Sequence, residues 1–412
     1  MNYNVNDGAK RVVEDLKELA GFTADENGAH RVAWTPVWQK TRDWFKNKAE
    51  AAGAEVFTDA AGNQWAKFEG ETDEAIAAGS HLDCVPNGGP LDGALGAIAG
   101  LEVLRRYAEG DSKPKKTIYA VNWADEEGAR FGYSCLGSSA ASGSLNVNEL
   151  MGKTDVNGVK FEDALREYNV EPLEMLNAKE QMKEYNLKSY LELHIEQGPV
   201  LEKANKVVSC VYGAAGVERH NIEFTGQASH AGSFPTRMRQ DAFLAAAQAS
   251  LAFKEIALKY AAVCTVGQIK VEPCVVTIVP GKCVISLDQR TIDSDDLQKM
   301  LEEAKQAAHK AASDQGVSVK WSKICTFPPQ LFDDHLIKLC KEAVEEETGE
   351  PTTMYSGPLH DAVEVAKQVP TVMMFAMSEK GLSHTKEEYT PDEKIEAAVR
   401  AFLNLADKVI NE

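Results

Sequence analysis

From Val211 onward the sequence patterning orders itself as strand, helix, strand, strand, helix, strand. Arg219 to Phe224 reads as a strand, Asp241 to Tyr260 as an alanine-rich helix, and Cys264 to Val271 and Val275 to Asp288 as strands. Asp293 to Ser313 is then a helix with Asp293 or Ser294 as its cap, and Val317 to Ile324 closes the run as a strand. That β-α-β-β-α-β order is the one a ferredoxin-like module uses. It interrupts a chain of different texture, so a second domain inserted into a first is expected. At 412 residues the chain is long enough for two cores.

The flanking sequence is of α/β type. Residues 8–21 repeat apolar side chains at helical spacing, Thr35-Pro36 opens a helix from Val37 to Ala52, and Glu55–Thr58 and Gln64–Phe68 read as strands around a turn. The small apolar run Ala75 to Ala78 leads into His81, and Thr117–Trp123 leads into Asp125-Glu126-Glu127. Leu191, Leu193 and Ile195 alternate with Glu192, His194 and Glu196, the pattern of a half-buried strand. Past the insertion, Thr371–Met377 is a buried-type strand followed by the loop carrying His384, and Asp392 to Asn411 is an amphipathic helix. Residues 134–190 read as helical and loopy.

Strand C-termini are where open α/β sheets place their sites. His81 and Asp83 share strand parity, so Asp83 is expected to stand behind His81 as its orienting carboxylate. Asp92 precedes the small-residue run Gly93 to Gly100 and is expected to cap that helix. Taken alone, this stretch also suits a hydrogen-bonded histidine and an ordinary Asp N-cap. Across the chain, however, His81, Asp92, Glu126-Glu127, His194 and His384 supply what a two-metal site needs: histidines, carboxylates, and one carboxylate able to bridge.

A net charge of −19 argues against nucleic-acid or anionic-membrane partners. No apolar run is long enough for a membrane span, and the N-terminal Met1 to Asp7 lacks the features of a signal peptide. The 8 cysteines form no C-x-x-C pair and are expected to be reduced thiols in a cytoplasmic protein.

Several runs together resemble the M20 family of metallohydrolases, in the branch of N-carbamoyl-L-amino-acid hydrolases, β-ureidopropionases and allantoate amidohydrolases. They are Gly79-Ser80-His81-Leu82-Asp83, Pro86-Asn87-Gly88-Gly89, Leu91-Asp92-Gly93-Ala94-Leu95-Gly96 and Glu126-Glu127-Gly128-Ala129-Arg130-Phe131-Gly132. Further on come Glu192-Leu193-His194-Ile195-Glu196-Gln197-Gly198-Pro199, Gly226-Gln227-Ala228-Ser229-His230-Ala231-Gly232 and Ser383-His384-Thr385-Lys386-Glu387. The resemblance implies a mixed-sheet catalytic domain over 1–212 and 328–412, and an inserted ferredoxin-like lid and dimerisation domain over 213–327. It implies two divalent ions per subunit, Zn2+ or Mn2+, with Co2+ or Ni2+ also suited. Asp92 would bridge them, His81 and His194 would bind one, and Glu127 and His384 the other.

By the same resemblance Glu126 is the general base, water activated by the metals is the nucleophile, and His230 hydrogen-bonds the reacting carbonyl. Arg290 would grip the substrate carboxylate, with Gln197, Thr277, Leu359 and His360 around the substrate. The implied substrate is an N-carbamoyl-L-amino acid or related ureido acid, and the implied assembly is a homodimer. Alternatives are an allantoate amidohydrolase or an M20 aminoacylase or dipeptidase. Outside enzymes, the alternative is an inactive relative that only binds. Inactive relatives lose ligands or the base, and this chain keeps both. Thr277, Leu359 and Phe234 depart from the family pattern around the substrate, where it usually has Asn, Gly and Thr; the residues given metal roles do not depart.

Overall fold

The strand Leu187–Ile195 lies at the centre of a mixed sheet because it is buried on both faces. In this computed structural model residues 3–110 and 112–412 are described. Met1 and Asn2 of the N-terminus, and Asp111 of the loop expected from Gly110 to Pro114, lie outside them. The chain divides into two compact units, residues 1–213 with 332–412, and residues 214–331.

In the first unit the sheet runs Val208–Ala214, Thr371–Ala376, Leu187–Ile195, Ala75–His81, Thr117–Trp123, Gln64–Phe68, Glu55–Thr58. Four consecutive strands, from Thr371–Ala376 through Thr117–Trp123, are parallel, and antiparallel strands flank them. Alternate side chains feed two cores. Ile76, Ala78, Leu191, Leu193, Val372 and Met374 join the helices Val5–Thr23, Ala94–Ala108, Asp334–Thr348 and Asp392–Asn411. Ala75, Ala77, Tyr119, Val121, Tyr190 and Met373 pack with Trp34, Trp38 and Trp65 on the other side.

Helices on both faces are what parallel strands require. The half-buried reading of Leu191–Glu196 is therefore corrected. Glu192, His194 and Glu196 face a second core, not solvent. Strand register brings His81 beside Trp123 and His194 beside Phe375, so the C-terminal ends of the parallel strands share one edge.

The second unit has the antiparallel order Val263–Thr265, Lys282–Thr291, Gly216–Thr225, Ser318–Phe327, with Ile269–Glu272 also on Lys282–Thr291. The helices Ala242–Lys259 and Ser294–Asp314 pack together over its core of Ile222, Phe224, Phe253, Ile285 and Met300. The strand expected over Val275 to Asp288 is broken. Pro280, which has no N–H to give a ladder, separates Ile278–Val279 from Lys282–Thr291.

Candidate metal centre

His81 ends its strand with the ring wholly buried. Its Nδ1 lies 3.1 Å from the Asp83 carbonyl oxygen and 3.8 Å from the Asp83 carboxylate. The carbonyl is the nearer partner. The Asp83 carboxylate instead accepts from the backbone N–H of Glu126 (3.3 Å) and Glu127 (3.2 Å), and so holds the acidic turn after Thr117–Trp123 in place.

Asp92 sits before the helix Ala94–Ala108, but it is not the cap. Gly93 takes that position, with no side-chain cap bond, and the Asp92 carboxylate is free to face the strand ends. Gly93 has a positive φ of 65°, and a Cβ there would lie 2.3 Å from His81 Cε1 and 2.4 Å from both ring nitrogens. Only glycine lets the helix start this close to the imidazole.

Around Asp92 two sets of donor atoms converge. His81, Asp92 and His194 form one group, and Asp92, Glu127 and His384 another, with ligand atoms in each group all within 4.8 Å of one another. His194 Nε2 is 3.1 Å from Asp92 Oδ1, and His384 Nε2 is 3.2 Å from Asp92 Oδ2 and 3.4 Å from Glu127 Oε2. His194 Nδ1 is occupied by the Ile195 carbonyl at 2.9 Å, which fixes the ring with Nε2 toward Asp92. That Nε2 is buried and makes no hydrogen bond, so its proximity to Asp92 is not a bond geometry. Glu126 Oε2 stands 3.6 Å from His81 Nε2.

The electrostatics are those of crowded buried carboxylates. Asp83, Asp92, Glu126 and Asp361 are buried, and Glu127 is largely so. Within this unit no Lys or Arg among the described residues lies within 4.0 Å of them. Burial, and then the charges of Asp361, Glu127, Asp83 and Asp92, push the Glu126 carboxyl well above its ordinary range. Burial and Asp92 raise Glu127 to about 7. Burial alone would lower His194, but the adjacent Asp92 outweighs it and raises the imidazole to about 9. The contact with Asp92 likewise raises His384 to about 9. Burial drops His81 to about 3. Clustered buried carboxylates that repel, next to a His194 Nε2 without a hydrogen bond, are a donor set that divalent cations fit.

The sequence matches Peptidase family M20/M25/M40 over residues 77–408. The chain belongs to this family. It is 32% identical to an N-carbamoyl-L-amino acid amidohydrolase of Geobacillus stearothermophilus (93% of this chain, 94% of that one). It is 31% identical to a ureidoglycolate hydrolase of Oryza sativa subsp. japonica (97% and 84%) and 30% identical to an allantoate amidohydrolase of Escherichia coli (92% and 92%). The crystal structure of an amidase of the hydantoinase/carbamoylase family from Burkholderia multivorans superposes with a TM-score of 0.89 at 30% identity, covering 98% of each chain. The protein is thus an M20 hydrolase, and hydrolases of this family are metal-dependent.

Other expected site residues of this M20 chain fall as follows. Gln197 has φ 57°, and its Nε2 donates to Asp92 Oδ2 at 2.8 Å. The buried ring of His360 packs on His194 with centroids 4.5 Å apart, its Nε2 unpartnered, and Leu359 beside it is half-buried. In the second unit, His230 and Thr277 are neighbours on the ribbon of Ser229–His230 with Ile278–Val279. His230 is exposed, and its Nδ1 accepts from the N–H of Gly232 (3.0 Å) and Ser233 (3.2 Å). That leaves the ring proton on Nε2, free to donate. Arg290 lies on a different sheet and binds Asp288, as does Arg219.

The acids bracketing His194 are structural. Glu192 accepts from Ser80, Tyr190 and the Ala362 N–H, and Glu196 accepts from the N–H of Val200 and Leu201. Sequence reasoning missed Ser383 and Glu388, both hydrogen-bonded around Asp92. Glu388 gave no signal, lying beside Glu387 in an acidic loop.

Proposed function

We propose that the protein is a two-metal amidohydrolase that cleaves the ureido C–N bond of an N-carbamoyl-L-amino acid or a related ureido acid. The single observation that carries this reading is the shared carboxylate: Asp92 offers one oxygen to His81 and His194 and the other to His384, beside Glu127. In this reading His81, Asp92 and His194 hold one ion, and Asp92, Glu127 and His384 the other. Zn2+ or Mn2+ suits the mixed N/O donors, and Co2+ or Ni2+ also fits. When bound, the ions polarise the carbonyl and make the attacking water more acidic.

Glu126 is the proton carrier. It is buried at the edge of the donor atoms, with Oε2 3.6 Å from His81 Nε2, where it can take a proton from water that the ions have made more acidic. It takes a proton from water as the water oxygen bonds the ureido carbon, and gives it to the nitrogen as the C–N bond breaks. The products are the amino acid and carbamate, which falls to CO2 and ammonia. His230, with its proton on Nε2, is suited to donate to the reacting carbonyl. Arg290, held by Asp288, is proposed to bind the substrate carboxylate with its guanidinium. His360, Leu359 and Thr277 are proposed to shape the side-chain pocket, and a homodimer is the proposed assembly. No helix among the described residues is long and apolar enough to cross a membrane.

The test is elemental analysis of bound metal, followed by turnover of N-carbamoyl amino acids, allantoate, ureidoglycolate and N-acetyl amino acids with Zn2+, Mn2+, Co2+ or Ni2+. Glu126→Gln should keep metal and lose turnover. Activity on N-acetyl amino acids alone, or an E126Q variant that retains most activity, refutes the reading.

A further inference from the structure

Asp92 can serve two ions only if its carboxylate plane is fixed, because a rotation about its side-chain bonds would move both oxygens off their partners at once. Ligand positions must hold to about 0.2 Å, so something must fix that rotation.

We propose that Glu388 is the positioning residue that fixes Asp92, acting through the Leu91–Asp92 backbone and Ser383, with Gln197 completing the clamp. This rests on the two-metal reading above. Glu388 is buried at 4% exposure although it lies in an acidic loop. Its Oε1 accepts from the N–H of Leu91 at 2.8 Å and of Asp92 at 3.0 Å. Its Oε2 accepts from Ser383 Oγ at 2.9 Å, and the same hydroxyl lies 2.8 Å from Asp92 Oδ2. One carboxylate thus holds both the backbone that carries Asp92 and the hydroxyl that touches its side chain.

Two further features show a built arrangement. The place Glu388 occupies exists because residue 89 is glycine: a Cβ there would lie 2.2 Å from Glu388 Cδ and Oε1. Gln197 adopts a positive φ, its N–H donates to Ser378 Oγ at 3.1 Å, and its amide donates to Asp92 Oδ2 at 2.8 Å and to Ser383 Oγ at 3.4 Å. Gln197 is therefore assigned to Asp92 through its Nε2, while its Oε1 is buried and without a hydrogen bond. Glu388 belongs to neither group of converging ligand atoms, so its place is behind Asp92 rather than beside it in the donor set.

The experiment uses the full chain, stripped of metal and reloaded. Zn2+ affinity is measured by chelator competition, the Co2+ form by its visible absorption spectrum, and kcat and KM separately, for wild type, Glu388→Ala, Glu388→Gln and Ser383→Ala. A glutamine keeps the geometry: its carbonyl accepts from Leu91 and Asp92, and its amide donates to Ser383. Outer partners of this kind are worth about 10–100-fold in metal affinity or activity. E388A should lose that much Zn2+ affinity, alter the Co2+ spectrum, and lower kcat more than it changes KM. E388Q should stay within about threefold, on the same scale of effects.

S383A removes one link, leaves the packing largely intact and covers the case in which E388A does not fold; it should fall between the other two. Wild-type affinity and an unchanged Co2+ spectrum in E388A or S383A overturn the inference while leaving the two-metal reading standing. E388Q as weak as E388A also overturns it. Fewer than two ions in wild type overturns the two-metal reading and this inference with it.

Discussion

Gly93→Ala tests the geometry at its tightest point. Gly93 has φ 65° and ψ −42°, a backbone region that costs an L-residue about 1–3 kcal/mol. The new Cβ would also stand 2.3–2.4 Å from Cε1, Nδ1 and Nε2 of His81. Carbon and nitrogen that are not bonded need about 3.5 Å, so either the ring or the helix start must move by about 1 Å. The ring cannot swing freely, because Nδ1 is held by the Asp83 carbonyl and the side chain is fully buried. If the helix start moves instead, Asp92 moves with it.

Both reliefs break the His81–Asp92–His194 group. A 1 Å displacement of a catalytic constellation costs about 100-fold in rate. G93A should therefore fold, bind metal less completely, and lose about two orders of magnitude in kcat. Elemental analysis, circular dichroism and steady-state kinetics on one preparation check this. A folded G93A with wild-type metal content and kcat within about twofold, against the roughly 100-fold expected, would falsify this placement of His81 against the helix.

Metal removal should make stability depend on pH. His194 and His384, raised to about 9, contribute stability that is complete below the ordinary histidine pKa and lost as pH rises through 9. Glu127, raised to about 7, contributes below the ordinary glutamate pKa and loses it as pH rises through 7. His81, lowered to about 3, is neutral in both states above its ordinary pKa and adds nothing there, and Asp92 is ionised throughout. The stripped protein should lose urea stability from about pH 6.5 to 9 by up to ~1.4 kcal/mol per pH unit per proton, with the half-exposed His384 giving less. Saturating Zn2+ should flatten the slope, and a flat profile without metal counts against the charge arrangement.

Asp83→Ala leaves two backbone N–H groups without their acceptor and should cost about 1–3 kcal/mol for each that stays dry. It should also depress kcat by loosening Glu126, read by unfolding and kinetics. Gly89→Ala should lower Zn2+ affinity by displacing Glu388, measured by the same chelator competition. Leu359→Gly should lower kcat/KM for apolar N-carbamoyl amino acids relative to small ones, and an unchanged ratio removes Leu359 from the pocket.

The legible residues were those where a strong strand ends. Ala75 to Ala78, Thr117 to Trp123 and Leu191 to Ile195 read as strands, and the register sets His81 beside Trp123, which Glu126-Glu127 follow, and His194 beside Phe375. Ligand atoms of His81, Asp92 and His194, and of Asp92, Glu127 and His384, come within 4.8 Å of one another. Alternation of period two did not reveal what covers the second face. Glu192 and Glu196 looked solvated and are instead buried acceptors of local donors. Glu388 was illegible for a related reason. Its burial depends on a missing Cβ at Gly89, remote in sequence, and no local pattern records such an absence.

Substrate choice must be written elsewhere than in the donor set. The relatives named for N-carbamoyl-L-amino acids, allantoate and ureidoglycolate are all 30–32% identical to this chain over most of its length, so overall likeness does not rank the three substrates. Each substrate name describes a ureido group beside an acid. They differ in what else the carbon carries, and a pocket discriminates by leaving polar groups unpaired or apolar space unfilled. His360 carries a buried Nε2 with no partner, against His194, and Leu359 precedes it. An apolar neighbour there raises the cost of a polar substituent such as a second ureido group, because a buried amide without a hydrogen bond costs about 1–3 kcal/mol. On the proposed placement of Leu359 at the side-chain pocket, an N-carbamoyl amino acid with an apolar side chain should be favoured over allantoate by about one to two orders of magnitude in kcat/KM. A purified enzyme that hydrolyses allantoate at least as efficiently as N-carbamoyl-leucine would reverse that order and remove Leu359 as its cause.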